Sequence, residues 1–172
     1  MDTKMKQIIA EKIKDFRLPE YREIPNVGLY LDQVTKYINN FLAPLGSIEI
    51  TTSMVSNYVK KGVIDSPEKK LYYAEQIAYL FFISIAKNVL TIENINKLIV
   101  RQKTIYGAET AYTYFCMELQ NVLTYICGLK DELDQIGSMK NSEVKMILRS
   151  VIISASHIIF LNSCFDLLDN KE

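Results

Sequence analysis

Several kinds of functional residue are scarce in this sequence, and each scarcity excludes a class of function. There is no tryptophan, and 172 residues contain three cysteines and one histidine, His157. That set cannot build the usual Cys/His zinc site without carboxylates, and it excludes catalysis by a pair of histidines. Lys plus Arg equals Asp plus Glu at 20 each, which also excludes nucleic-acid binding through bulk positive charge alone.

The sequence motifs of common enzyme classes are missing as well. We find no Gly-rich phosphate loop, nucleophile elbow, paired catalytic carboxylates or His–Glu metal motif. Asp131, Glu132 and Asp134 lack the spacing and glycine of an EF-hand, which favours a solvated linker over a cation site. We therefore expect no enzyme activity, no bound metal and no cofactor.

The N-terminus, the cysteines and one uncharged run bear on location. The N-terminus lacks the apolar run of a secretory signal. Cys116 and Cys127 would lie about 16 Å apart on one helix, too far for a disulfide, and free thiols are typical of the cytoplasm. Residues 150–165 carry no formal charge but fall short of the roughly 20 residues of a membrane span. We interpret them as a buried helix or subunit interface, in which His157 is more often a buried, hydrogen-bonded residue than a ligand or pH sensor.

What the sequence does contain is a series of apolar patterns with helical spacing. Leu31, Val34, Ile38 and Phe41, for example, recur every three or four residues, as on the buried face of a helix. Turn formers at 65–67 followed by alternating side chains up to Tyr72 predict a small two-stranded β wing. The fold class is therefore all-α with at most one small hairpin. The predicted helices cover residues 3–16, 29–41, 53–61, 73–88, 92–102, 109–129 and 141–168.

The third predicted helix carries the most specific chemical pattern. Its polar residues Ser53, Ser56, Asn57 and Lys60 follow the spacing of one helix face, with Lys61 beside them and no carboxylate among them. Asparagine can bond an adenine edge, serine can bond bases or phosphates, and lysine contacts guanine or phosphate. The face has the chemistry of a DNA-reading helix, although an ordinary solvated face is the alternative.

The order of the elements favours DNA binding further. A helix, a loop, a short polar-faced helix, a wing and a core helix follow one another, as in a winged helix-turn-helix. We expect the third helix to lie in the major groove. Lys69 and Lys70 would bind phosphate from the wing, while Gln33 and Lys36 would contact the DNA backbone from the preceding helix.

Two resemblances accompany this pattern. Residues 50–100 resemble the MerR-type winged-helix domain, with Ser56 where that family usually has arginine. The residues that carry the likeness are Tyr58, Gly62, Val63, Ile64, Pro67 and Tyr72. Residues 18–25, 29–34 and 54–60 are similar to a bacterial family catalogued as domain of unknown function 1836. The resemblance implies a MerR-like fold and a regulatory role.

These expectations combine into one hypothesis, a cytoplasmic bacterial transcription regulator that binds double-stranded DNA. Residues 1–102 would form the N-terminal helix and MerR-like winged helix, and residues 103–172 a helical dimerisation or effector region. Two apolar sides on the 109–129 helix predict a homodimer through about 104–168. The alternative is a degenerate winged helix that docks a protein partner without binding DNA.

The aromatic residues of the C-terminal half bear on a possible effector. Such a cluster is more often core than ligand box, although a small effector between the last helices remains an alternative. The cluster consists of Tyr106, Tyr112, Tyr114, Phe115 and Tyr125.

Overall fold

Seven α-helices make up the regular structure of the computed structural model, which describes residues 3–137 and 142–169. Two 3₁₀ turns, Tyr21–Glu23 and Ala43–Leu45, lie between the first three helices. The all-α class is therefore confirmed. The helices are α1 (Thr3–Ile13), α2 (Leu31–Leu42), α3 (Thr52–Lys60), α4 (Ala74–Ala86), α5 (Ile92–Lys103), α6 (Ala108–Ile126) and α7 (Glu143–Asp169).

Each predicted helix is present, and its described ends lie within three residues of the prediction. The predicted start of the last helix, residue 141, lies outside the described residues. The largest differences are C-terminal, since α1 stops at Ile13 and α6 at Ile126. After α1, the Phe16 N–H donates to the Ile13 carbonyl in a closing turn. The chain then enters Leu18-Pro19, where a residue before proline avoids the helical region.

Helix α4 forms the centre of the core, because it is apolar on every side. Its residues Ile77 to Ala86 are all buried, and α2, α6 and α7 pack around it. The ring of Phe81 lies about 6 Å from the rings of Tyr37, Phe41 and Tyr112. This aromatic cluster joins α2 to α6 through α4 and places α2 firmly on the core.

The predicted β wing is wrong. The chain reverses within 65–72, and the backbone groups of Glu68 and Leu71 bond each other in both directions at 3.0 and 2.9 Å. A second reciprocal backbone pair joins Tyr72 to Leu29. Both are isolated antiparallel bridges, and none of the residues in 3–137 and 142–169 belongs to a strand.

The hairpin stays this short because a side chain of α4 bonds the backbone groups that a longer ladder would need. The Tyr73 N–H, which a longer ladder would use, donates to Oε1 of Gln76 at 2.9 Å and caps α4. The Gln76 side chain also donates to the carbonyls of Asp65 and Ser66, at 3.0 and 3.2 Å. The second arm therefore ends at Tyr72, before a ladder can form.

Helix α7 packs mainly on α6 and also contacts α1, α4 and α5. Over the described residues, it is the one helix long and apolar enough to cross a membrane, a test that soluble core helices also pass. The interpretation of His157 as buried is wrong, since the side chain is exposed and the neighbouring Ser156 is the buried polar residue. Within this turn of α7, residues 155 and 156 face the core and His157 faces solvent. Most residues near His157 are apolar, so the sequence does not show which side of the helix is exposed.

Candidate DNA-binding surface

The α3 helix has well-defined ends. The Thr51 hydroxyl accepts a hydrogen bond from the Met54 N–H at 3.2 Å and caps the N-terminus. At the other end Gly62 has φ +67°, and the Val63 N–H donates to the Tyr58 carbonyl at 2.9 Å. This is the Schellman arrangement that glycine permits after the last turn, so the sequence fixes both the start and the stop of α3.

Two connections hold α3 in place on the rest of the fold. On its inner face Val55 and Tyr58 are buried. The Asn39 amide on α2 bonds both backbone groups of Ile50, the N–H and the carbonyl, each at 2.9 Å. Because Ile50 directly precedes the N-cap Thr51, Asn39 sets the direction in which the chain enters α3.

Lys87, at the end of α4, makes a third connection that the sequence does not indicate. Its ammonium group donates to the Glu49 carbonyl and lies 3.4 Å from Sδ of Met54 in α3. Burial lowers the pKa of this half-buried lysine. Its partners lie more than 30 residues away in sequence, so no local pattern identifies it.

The outer face of α3 contains the predicted polar residues, all of them exposed. Ser53, Ser56, Asn57 and Lys60 lie together on this face, and none of the exposed residues of α3 is acidic. The Ser56 hydroxyl donates to the Thr52 carbonyl at 2.9 Å, which leaves its oxygen free to accept. Lys61 follows the helix, and its ammonium group lies 3.9 Å from the carboxylate of Glu93 on α5.

The lysines of the short reversal are held in an unusual backbone conformation. Lys69 and Lys70 have φ of 49° and 69°, the left-handed region that costs residues other than glycine about 1–2 kcal/mol each. Both side chains are exposed at the tip. The fold keeps two lysines where Asn-Gly is the favoured pair for a two-residue hairpin.

Of the two predicted α2 residues, one has a clear structural role. The Oε1 atom of Gln33 accepts the Tyr30 N–H at 2.9 Å and satisfies a backbone group at the start of α2. This leaves its amide N–H groups for another partner. Lys36 lies one turn further along the helix and is fully on the solvent side.

The candidate surface lies within a region that matches a known protein family. The profile described as domain of unknown function (DUF1836) matches residues 19–115, more than half of the chain. The chain belongs to this family. The DUF1836 region runs from the segment before α2 through the first two turns of α6, which includes α3 and the 68–71 reversal. No curated protein and no solved structure matches the chain.

Cavities in and around the DUF1836 region offer weaker candidate sites. A cavity of about 40 Å³ lies between α4, α5, α6 and α7, with Gln102 on its wall already bonded to Tyr79 OH at 2.9 Å. It holds about two or three water-sized groups. A cleft of about 560 Å³ lies between residues 17–23 and α6. Arg17 and Glu23 on its wall pair at 2.6 Å, and this hydrogen bond lowers the pKa of Glu23 to about 2.

The remaining candidate groups are structural. Tyr112, Tyr114 and Phe115 are buried, as expected for core residues, whereas Tyr106 is half-buried and the core interpretation is wrong for the exposed Tyr125. The described cysteines are free thiols. No group of His, Cys, Asp or Glu in the described chain could hold a metal ion. Buried Glu118 on α6 lies 3.0 Å from Nε of Arg149 on α7, an ion pair that joins the two helices.

Proposed function

We propose that this DUF1836 protein is a sequence-specific DNA-binding transcription regulator. The α2–α3 pair would act as a MerR-like helix-turn-helix, with α3 in the major groove and the 68–71 reversal in the place of a β wing. The observation that carries the proposal is the outer face of α3, where serine, asparagine and lysine side chains are exposed without a carboxylate. Such side chains bond base edges and phosphates, whereas a carboxylate would repel the backbone.

The second support is the strained reversal at Lys69 and Lys70. Backbone strain of this kind persists mostly where function requires it. Two lysines at a protruding tip are suited to phosphate contact, which positions α3 without reading sequence. Gln33 and Lys36 would reach the DNA backbone from α2. The 68–71 reversal thus takes the role that a β wing has in related folds.

We propose that the N-terminal and C-terminal parts of the chain have different functions. Residues 1–102 would hold the DNA-binding unit and residues 103–172 a dimerisation region, in a cytoplasmic regulator that acts as a homodimer on paired half-sites. The proposed activity needs neither a cofactor nor catalysis.

Selection of genomic fragments by the purified protein tests the proposal. We expect the wild type to enrich a small set of fragments and Lys60→Glu with Lys61→Glu to enrich none. Lys6→Glu with Lys12→Glu is the matched control, since it makes the same change of net charge at exposed positions on α1. Equal enrichment by both double variants, at unchanged circular dichroism, would refute the assignment of α3.

Two observations favour a second candidate, a winged-helix-like module that docks a protein partner. The described residues form no β wing, and Glu93 partly neutralises Lys61. In that case the α3 face would bind a partner and genomic DNA would bind weakly and without enrichment. The fragment selection separates the two candidates directly.

A further inference from the structure

The outward face of α7 carries a seven-residue repeat, which is the spacing of a helix that pairs with another helix. The side chains at these positions are exposed except that of Cys164, which is half-buried. Ile147, Leu161 and Leu168 are 41%, 51% and 48% exposed, although they are large and apolar. The repeat consists of Ile147, Ser150, Ser154, His157, Leu161, Cys164 and Leu168.

This face has no formal charge along about 32 Å of helix. Between Ile147 and Leu168 the only charged residues are Arg149 and Asp166. Arg149 points inward to Glu118, and Asp166 lies beside the turn at Gly46. An uncharged face of this length with large apolar side chains exposed at both ends indicates an interaction surface.

We infer that this face binds the same face of a second copy, with the two α7 helices antiparallel. The reason is the arrangement of sizes along the repeat. A two-fold axis between Ser154 and His157 places Ser150 opposite Leu161 of the partner subunit. It also places Ile147 opposite Cys164 of the partner subunit, so large side chains meet smaller ones at both ends.

The centre of this arrangement is polar and self-complementary. The Ser154 hydroxyl lies opposite His157 of the partner subunit, and the axis repeats this contact. A polar pair within an apolar seam is a known means of fixing the register of paired helices at some cost in stability. The register therefore pairs hydroxyl with imidazole, and no charged residue lies among the pairs from Ile147 to Cys164. Leu168 lies level with Glu143 of the partner subunit, at the start of that helix.

A second copy fits this face better than a lipid surface does. Helices that lie on membranes carry lysine and arginine along the polar side next to the apolar face. On α7 the one arginine between Ile147 and Leu168 is held by Glu118 instead. Helix α6 offers less, because Phe115, Leu119 and Val122 are buried against the chain itself. Its exposed large apolar residues are Met117 and Tyr125, which form a shorter patch than the repeat on α7.

A cysteine pair tests the register. In the variant Ser150→Cys with Leu161→Cys, the two cysteines of one chain lie about 16 Å apart along the helix, too far to bond each other. Across the proposed axis they face each other, so oxidation should yield a disulfide-linked dimer on a non-reducing gel. Either single variant, with the same native cysteines, should yield none. A double variant that stays unlinked, or single variants that link equally well, would overturn the register.

Sedimentation equilibrium tests the occupant of the face. We expect the wild type at twice the 19.8 kDa chain mass, and Leu161→Glu at the mass of one chain with unchanged circular dichroism. Val100→Glu, at a 57% exposed apolar residue on α5, is the control and should remain dimeric. A monomeric wild type, or a Leu161→Glu variant that still dimerises, would overturn the inference. A monomer that binds phosphatidylglycerol vesicles would assign the face to lipid.

This inference specifies the contact of the homodimer in the proposed function, and it does not depend on DNA binding. The variant Lys60→Glu with Lys61→Glu should remain dimeric in the same experiment, whether or not the wild type selects DNA fragments. Failure of the dimer and failure of the proposed function are therefore seen separately.

Discussion

At the scale of single residues, Lys69 and Lys70 combine a backbone conformation that lowers stability with the proposed contact to DNA phosphates. Replacing them with Asn-Gly should relieve the left-handed strain and raise the free energy of unfolding by about 1–2 kcal/mol. The same change removes two charges, so the slope of log K against log salt for DNA should shrink by roughly 1.8. Urea unfolding and a salt titration of DNA binding measure the two effects.

The control for this prediction keeps the strain and removes the charge. Lys69→Gln with Lys70→Gln should reduce the salt slope by the same amount without the gain in unfolding free energy. If the Asn-Gly variant is no more stable than the Gln-Gln variant, the backbone of this turn is not strained as described.

Glu118 predicts a pH dependence of stability. Burial raises the pKa of its carboxyl above the ordinary 4.5, against the opposing effect of Arg149. An acid whose pKa is higher in the folded than in the unfolded state favours folding most while protonated. Its contribution to the unfolding free energy should therefore fall as the pH rises from about 4.5 through the folded-state pKa.

The variant Glu118→Gln isolates this effect, because the amide does not titrate. We expect the stability of the wild type relative to Glu118→Gln to decrease between acid and neutral pH in urea unfolding experiments. Glu143→Gln, which removes an exposed carboxylate paired with Arg101, should not alter the pH profile. A relative stability of the wild type that rises with pH would contradict the direction of the shift.

At the scale of elements, the placement of α3 depends on Asn39. Asn39→Ala leaves the N–H and carbonyl of Ile50 without their partners, and we expect the unfolding free energy to drop by about 1–3 kcal/mol. Asn40→Ala, at the exposed neighbouring position, should change it by less than about 0.5 kcal/mol. Equal losses in the two variants would show that the Asn39 amide does not anchor α3.

The elements also show which features a sequence determines locally. The limits of α3 could be predicted because Thr51 and Gly62 act within one turn of their own helix. The exposed face of α3 could be predicted from spacing alone. Family membership, too, was correctly indicated by short segments before α2 and within α3, and the match over residues 19–115 confirms it.

Features that depend on distant partners could not be predicted. The length of the hairpin is limited by Gln76, which binds carbonyls ten or more residues away in sequence. The alternating side chains at 65–72 therefore predicted a β wing that the distant Gln76 prevents. Lys87 supports α3 from across the fold. The exposure of His157 depends on which side of α7 packs against the core. Because α7 is apolar on almost every side, the spacing of its apolar residues does not identify that side.

At the scale of the whole molecule, a neutral chain carries a local basic surface. Residues 1–100 contain 13 basic and 11 acidic side chains, and residues 101–172 contain 7 and 9. Within 51–73 four lysines face two carboxylates, which is the local excess that phosphate contact requires. The helical body behind it, with the uncharged face of α7, contributes positioning and assembly in this account.

The most direct test of the central claim is the salt dependence of binding to a selected genomic fragment. We predict that log K for the wild type falls linearly with log salt, because each lysine that contacts a phosphate releases a counterion. Lys60→Glu with Lys61→Glu should abolish the binding, while Lys6→Glu with Lys12→Glu should keep affinity and slope close to those of the wild type. Binding that does not change with salt, or that survives unchanged in the Lys60/Lys61 variant, would contradict the account.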